Sequence, residues 1–366
     1  MSAWESPPDA GDPVGVIAST FTFDASFFEE ELLARFLGME SAPDDGRAWL
    51  VEREERLGRA LSVVLTDRRH VSRSSTLAWD LLPVALPGSA CQHAKVAVLA
   101  WERHVRVLVG SANLTEAAYR RNLETFAALD FHAEGEVPRE VLSELLAFLR
   151  RMLERTCDPK EGQGLPPPVS QRAIATFDAI ASLARKFDLP ASWPRTGTRV
   201  VPVLLEPDRG LGVLQQMRKL WGEGSLPSYV FVLSPFWPRD APRGVDVLVH
   251  AIAEHMAPRG LRTLSLFAPG YQDPATGKWL IELPEAIRGA VDSLPRLELL
   301  FRPVTSRDEE EKRPLHAKSI LWGRDGREIL LIGSSNASAS GLGLAKAPRN
   351  LEANLAFVPT DAVKVL

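Results

Sequence analysis

Cysteine is nearly missing from this chain: Cys91 and Cys157 are the two in 366 residues. Two thiols sustain neither a disulfide framework nor a thiolate zinc site, and such scarcity fits a reducing compartment. No run approaches the roughly 18 consecutive apolar residues of a bilayer span, and the acidic start MSAWESPPDAGD lacks the basic and apolar regions of a signal peptide. The sequence therefore predicts a cytoplasmic protein with no membrane partner, with residues 1–12 as a flexible leader. Net charge is small too, at −4, which argues against coating polyanions through bulk charge but leaves a local basic cleft open.

Several functional motifs are also missing. There is no phosphate loop of the Walker type, no dinucleotide fingerprint and no Gly-x-Ser-x-Gly elbow. HAIAEH at 250–255 sets its histidines five apart with the glutamate misplaced for a metalloprotease, so it reads as a helix face. The acid-rich RDEEEK at 307–312 reads as a loop beside the site. No metal site and no cofactor are expected.

What is present is a soluble-protein composition, 45% hydrophobic and 25% charged, with strand and helix signals alternating along the chain. Strands are predicted at 14–23, 60–67, 95–101, 105–110 and 125–131, and again at 199–206, 229–236, 262–268, 297–304, 317–322, 328–333 and 354–359. Helices are predicted through FFEEELLARFL with Asp24 or Ser26 as cap, at 138–156, at about 171–187, through LGVLQQMRKLW and through VDVLVHAIAEHM. EGQGLPPPVSQ at 161–171 should be neither helix nor sheet. The expected organisation is α/β, with an N-terminal unit at 13–165 and a C-terminal unit at 166–366.

The two units repeat one another. HAKVAVLAWERHVRVLVGSANLT begins at 93 and HAKSILWGRDGREILLIGSSNAS at 316; His316 lies 223 residues after His93, and Asn336 223 after Asn113. VIASTFTF is echoed by VFVLSPFW, pairing Ser19 with Ser234 and Phe21 with Phe236, and LSVVL at 61 by LSLFA at 264. Matches in the same order imply a duplicated module.

Strand alternation should send His93 and Lys95 to one face, and His316 and Lys318 likewise. Gly-Ser-x-Asn closes each second strand with a small-residue turn offering an amide donor. Histidine, lysine and asparagine together make a poor metal site and a good phosphate cradle, and two such sets facing each other suit in-line displacement. Arg103, His104, Arg106, Arg120 and Arg121 surround the first motif, and Lys312, Arg313, Lys346 and Arg349 the second. They read equally as a phosphate-attracting patch or as solvated faces.

His-x-Lys followed by Gly-Ser-x-Asn, twice, with Asn-Leu-Glu downstream of each (Asn122 to Glu124, Asn350 to Glu352), resembles the phospholipase D superfamily over roughly residues 14–360. That superfamily commonly carries an aspartate seven residues after the histidine, where this chain has Ala100 and Gly323. Lacking it twice is similar to the tyrosyl-DNA phosphodiesterase branch and to divergent nucleases of the superfamily. The resemblance implies a phospholipase D-like duplicated fold of two pseudo-twofold-related halves, each a mixed sheet flanked by helices. It further implies a metal-independent phosphodiesterase or nuclease acting on DNA or RNA through a phosphohistidine, with nucleic acid as partner.

Carried over position by position, His93 is the nucleophile and His316 the general acid and base, a pairing that the pseudo-symmetry allows to be reversed. Lys95, Lys318, Asn113 and Asn336 hold the non-bridging oxygens. Ser111, Thr115, Ser334 and Ser338 add hydroxyls, Glu124 and Glu352 orient the imidazoles in an unassigned pairing, and Phe236, with Phe21 beside it, offers a stacking ring. A catalytically silent nucleic-acid-binding module of a larger assembly and a phospholipid hydrolase or transferase are the competing functions.

Overall fold

The computed structural model describes residues 1–71, 79–156, 167–238, 242–305, 313–344 and 348–360. The RDEEEK segment, Cys157, Lys312 and Lys346 lie outside them.

Branched and aromatic residues alternate with small ones over residues 13–131 and form six strands: β1 (Pro13–Thr20), β2 (Leu61–Asp67), β3 (Asp80–Val84), β4 (Val96–Trp101), β5 (His104–Gly110) and β6 (Phe126–Phe131). They assemble in the order β3-β2-β1-β4-β5-β6, parallel among the first three and antiparallel from β1 onward. The second half supplies β7 (Thr198–Leu205), β8 (Tyr229–Leu233), β9 (Arg262–Gln272), β10 (Trp279–Ile281), β11 (Leu297–Val304), β12 (Ser319–Arg324), β13 (Arg327–Gly333) and β14 (Glu352–Pro359). Within its sheet, β11-β9-β8-β12-β13-β14 reproduces the first order and the same senses, while β7 flanks β14 and β10 extends β9. The fold is therefore a duplicated α/β architecture of two mixed sheets flanked by helices.

Strand register corrects one part of the repeat. Ser19 pairs with Val96, and Leu233 with Ser319, which occupies the corresponding place in β12. Thr20 is thus the counterpart of Ser234 in register, one residue away from the pairing the letters suggest, while the rings of Phe21 and Phe236, beyond the strand ends, still make matching contacts with the histidine and lysine of their own halves. A one-residue slip reverses every side chain in a strand, so hydrogen-bonded register outranks similarity of letters.

Three apolar layers hold the halves. One joins Ile17, Val98, Val107 and Phe131 of the first sheet to Leu351 and to Ala353 and Leu355 of β14. Helix Arg139–Leu153 completes it, burying Val141, Leu142, Leu145, Phe148, Leu149 and Met152 at helical spacing. Helix Pro167–Lys186 starts inside the stretch expected to be irregular, since proline is tolerated in a first turn whose N–H groups have no intrahelical acceptors. Its Ala173, Phe177 and Ile180 join the same layer and it packs on β1 and β2, so a helix assigned to the C-terminal unit lies on the N-terminal sheet.

Other departures have equally local causes. The helix after β1 runs Ala25–Phe27, capped by Asp24 accepting from Phe27 N, then widens into a π turn over Phe28–Leu33 before Ala34–Phe36. The expected leader is packed: Trp4 is wholly buried and donates to Tyr119 Oη at 2.9 Å, and Arg106 donates to the carbonyls of Ala3 and Glu5. A helix at Arg47–Leu57 and strand β3 were not foreseen; the helix buries only Trp49 and Leu57, and β3 contains Pro83, admissible because β3 is an edge.

Candidate active site

Neither His-x-Lys lies inside a strand; each ends just before one, β4 starting at Val96 and β12 at Ser319. What holds these segments is the other half of the chain. His93 N donates to Leu351 O and Leu351 N to Cys91 O. In mirror fashion His316 N donates to Leu123 O and Leu123 N to Pro314 O. The bridges Gln92 to Leu351 and Leu123 to Leu315 are one contact made twice, once around each side of the pseudo-twofold axis.

The Asn-Leu-Glu segments thus deliver their glutamates across the interface. Glu352 Oε2 lies 2.9 Å from His93 Nδ1, and Glu124 Oε2 2.9 Å from His316 Nδ1. This settles the pairing that sequence left open: each carboxylate orients the imidazole of the opposite half. With Nδ1–H donated to a carboxylate, Nε2 of each ring carries the free lone pair. Ser111 Oγ donates to Glu124 Oε2 and Ser334 Oγ to Glu352 Oε2, each at 2.5 Å, while Asn122 and Asn350 donate to the remaining oxygens. The two serines, expected to touch substrate, are committed to the carboxylates instead.

The lysines fold back on their own motifs, Lys95 Nζ donating to His93 O at 2.6 Å and Lys318 Nζ to His316 O at 2.5 Å. Both are buried, and each charge is felt by the histidine of the other half. Burial holds His93 down to about 4, with Glu352 pulling the other way, and lowers His316 likewise. Burial takes Lys95 to about 8, and burial together with the Lys95 charge takes Lys318 to about 7. Glu124 stays below the ordinary carboxylate value because its bonds to His316 and Ser111 outweigh desolvation.

Asn113 is locked: its Oδ1 accepts from Phe21 N and Thr22 N at 3.2 and 3.4 Å, which turns its amide nitrogen outward. Asn336 Oδ1 is buried with no hydrogen-bond partner among the described residues. Pro235, which replaces Phe21 in register, has no N–H to give it. Thr115 and Ser338 oxygens accept from Ala118 N and Gly341 N, capping the turns that follow the asparagines. Phe21 meets His93 edge-on at 5.2 Å, and Phe236 meets His316 at 5.8 Å, each ring 5.7 Å from its own lysine Nζ. Phe236 is 54% exposed, whereas Phe21 is covered by His70 at 4.3 Å, a contact that nothing in the sequence announced.

The absent aspartates have steric explanations. Ala100 is fully buried in the layer between the sheets. A Cβ on Gly323 would stand 2.0 Å from the Tyr229 ring. The arginine patch around the first motif does not survive as free charge: Arg106 and His104 bind Asp130, Arg120 binds Glu31 and Glu116, and Arg121 binds Glu116. Arg349 donates to Gly210 O.

No protein-family model and no curated protein matches the sequence. Solved structures do. The chain is similar to yeast tyrosyl-DNA phosphodiesterase with a TM-score of 0.55 and 13% identity, over 94% of this chain and 82% of that one. It is also similar to phosphatidylserine synthase of Haemophilus influenzae Rd KW20, with a TM-score of 0.50 and 12% identity, over 96% and 79%. At such identities the likeness is one of fold, and it is the phospholipase D-like fold that the paired motifs imply.

Proposed function

We propose that the protein is a metal-independent phosphodiesterase that cleaves nucleic-acid phosphodiesters, DNA or RNA, through a phosphohistidine on His93. One observation carries the reading: two imidazoles, each fixed through Nδ1 by a buried carboxylate of the opposite half, present free Nε2 atoms beside two buried lysines. The likeness in fold to a tyrosyl-DNA phosphodiesterase supports a nucleic-acid substrate.

The unequal burial supports the division of roles. The His93 side chain is 9% exposed over a wholly buried Glu352, and the His316 side chain 14% over Glu124. The drier ring stays neutral and attacks; the wetter one carries the proton.

His93 Nε2 forms a bond to phosphorus as the bond to the leaving oxygen breaks, and that oxygen takes the proton of His316 Nε2–H. Water then gives its proton to His316 and its oxygen to phosphorus, the P–N bond breaks, and a phosphomonoester leaves. Lys95, Lys318 and the amide groups of Asn113 and Asn336 bear on the non-bridging oxygens as charge spreads over them. Phe236 supplies the exposed face on which a base stacks.

The charges are consistent with this cycle. Glu124 and Glu352 offset Lys95 and Lys318, so an incoming diester monoanion is matched by one proton, and His316 is the group placed to take it. The deciding experiment incubates the protein with labelled single- and double-stranded oligonucleotides in EDTA, followed by acid quench and peptide mapping. Turnover in chelator with phosphate trapped on the His93 peptide is expected. Turnover undiminished in both His93→Ala and His316→Ala would overturn the reading.

A further inference from the structure

Behind the N-terminal sheet lies a cavity of about 190 Å³ that none of His93, His316, Phe21 or Phe236 lines. Its apolar wall includes Ala97, Leu108, Leu114 and Phe126, and its polar lining Lys95, Tyr119 and Glu124. Every lining residue belongs to the first half, and Lys95 and Glu124 bring the cavity up to the centre from that side.

The two halves differ in the residues at this place. Register makes Ile320 the counterpart of Ala97, and Asn354 that of Phe126. Ile320 is buried and Asn354 is tied to Ser335 N, Ser335 Oγ and Val203 O, so in the second half the corresponding space is bordered by a larger side chain and a bonded amide. In the first half the methyl of Ala97 and the ring of Phe126, 53% exposed, leave it open.

The lining specifies an occupant. A dry apolar cavity of roughly 150 Å³ holds one benzene-sized molecule, so the apolar part takes a single ring. Lys95 and Glu124 contribute one charge of each sign, which disfavours an ionic guest. Tyr119 accepts from Trp4 Nε1 and keeps its own hydroxyl proton to donate. A hydroxyl group, donor and acceptor at once, satisfies such a mixed set. We propose that this cavity is a separate ligand site for an uncharged, ring-sized alcohol, its ring among Ala97, Leu108, Leu114 and Phe126 and its hydroxyl against Lys95, Tyr119 and Glu124. Because Glu124 orients His316, occupancy there bears on the centre through Glu124 and Lys95.

Saturation-transfer NMR with benzyl alcohol tests the site on the full chain. Saturable binding to the native protein is expected, weaker by about tenfold or more in Ala97→Ile, which installs the side chain that Ile320 provides in the other half. Tyr119→Phe keeps the ring, loses the hydroxyl and weakens binding about threefold, and it serves alone if Ala97→Ile fails to fold. Unchanged affinity in the folded variants overturns the proposal. Turnover is not among these readouts, so the site stands or falls apart from the catalytic reading.

Discussion

Glu352 accepts a hydrogen bond from His93 across 259 residues of sequence, 2.9 Å from carboxylate to ring. The mirrored bond joins Glu124 to His316. Replacing either glutamate by glutamine keeps the side chain's shape but removes the charge that selects the tautomer. Glu352→Gln should therefore lower kcat by roughly a thousandfold with KM little changed, as a chromogenic phosphodiester assay would show. A full-rate Glu352→Gln enzyme would contradict the assignment.

The two histidines should fail differently. With an activated nitrophenyl leaving group that needs no proton, His316→Ala should release one equivalent of nitrophenol in a burst and then stall as phosphoenzyme. His93→Ala should give no burst. Rapid-quench kinetics and intact mass distinguish them, and a burst from His93→Ala would reverse the roles.

Acid and base limbs of the pH profile follow from the buried groups. In the free enzyme kcat/KM should rise as His93 loses its proton near about 4 and fall as the general acid His316, held below its ordinary value by burial, loses its own, with Lys318 and Lys95 following near about 7 and 8. A bound phosphate anion favours the charged lysines, so the alkaline limb of kcat should lie higher than that of kcat/KM. Binding of inorganic phosphate should also take up a proton, detected by calorimetry in buffers of different ionisation enthalpy.

Stability carries the same signature. His93 is depressed on folding, so the unfolded chain binds the extra proton between about 4 and the ordinary histidine value. Stability contributed by keeping this ring neutral is present above that window and lost as pH falls through it. Thermal melts from pH 7 down to 4 should show Tm falling, less steeply in His93→Ala.

The asparagines should part on stability. Asn113→Ala strips the N–H groups of Phe21 and Thr22 of their acceptor and should cost about 1–3 kcal/mol. Asn336→Ala removes a buried oxygen that has no partner among the described residues, and should cost less. Denaturant melts of the two variants, read side by side, check the order.

Much of this was legible because identical spacing is hard to produce twice. His93 and His316 each meet the glutamate of the opposite half, with Lys95 and Lys318 folded back on the same motifs, and the alternation of strands and helices foretold the paired sheets. What the letters hid depends on three-dimensional neighbours. Tyr229 leaning on Gly323, His70 covering Phe21 and the use of Ser111 and Ser334 as carboxylate donors join residues far apart in sequence, and no local period encodes them. Helix Arg47–Leu57 escaped notice because it buries only two side chains, and the N-terminal segment because its polar composition concealed a single deeply seated tryptophan.

The crossed carboxylates make reactivity a late product of chain assembly. While a ribosome is still short of residue 352, His93 already exists but lacks the group that chooses its tautomer, and neither repeat by itself contains a completed imidazole–carboxylate couple. A growing polypeptide thus carries His93 without its carboxylate, and both couples form only when its two halves have closed on one another.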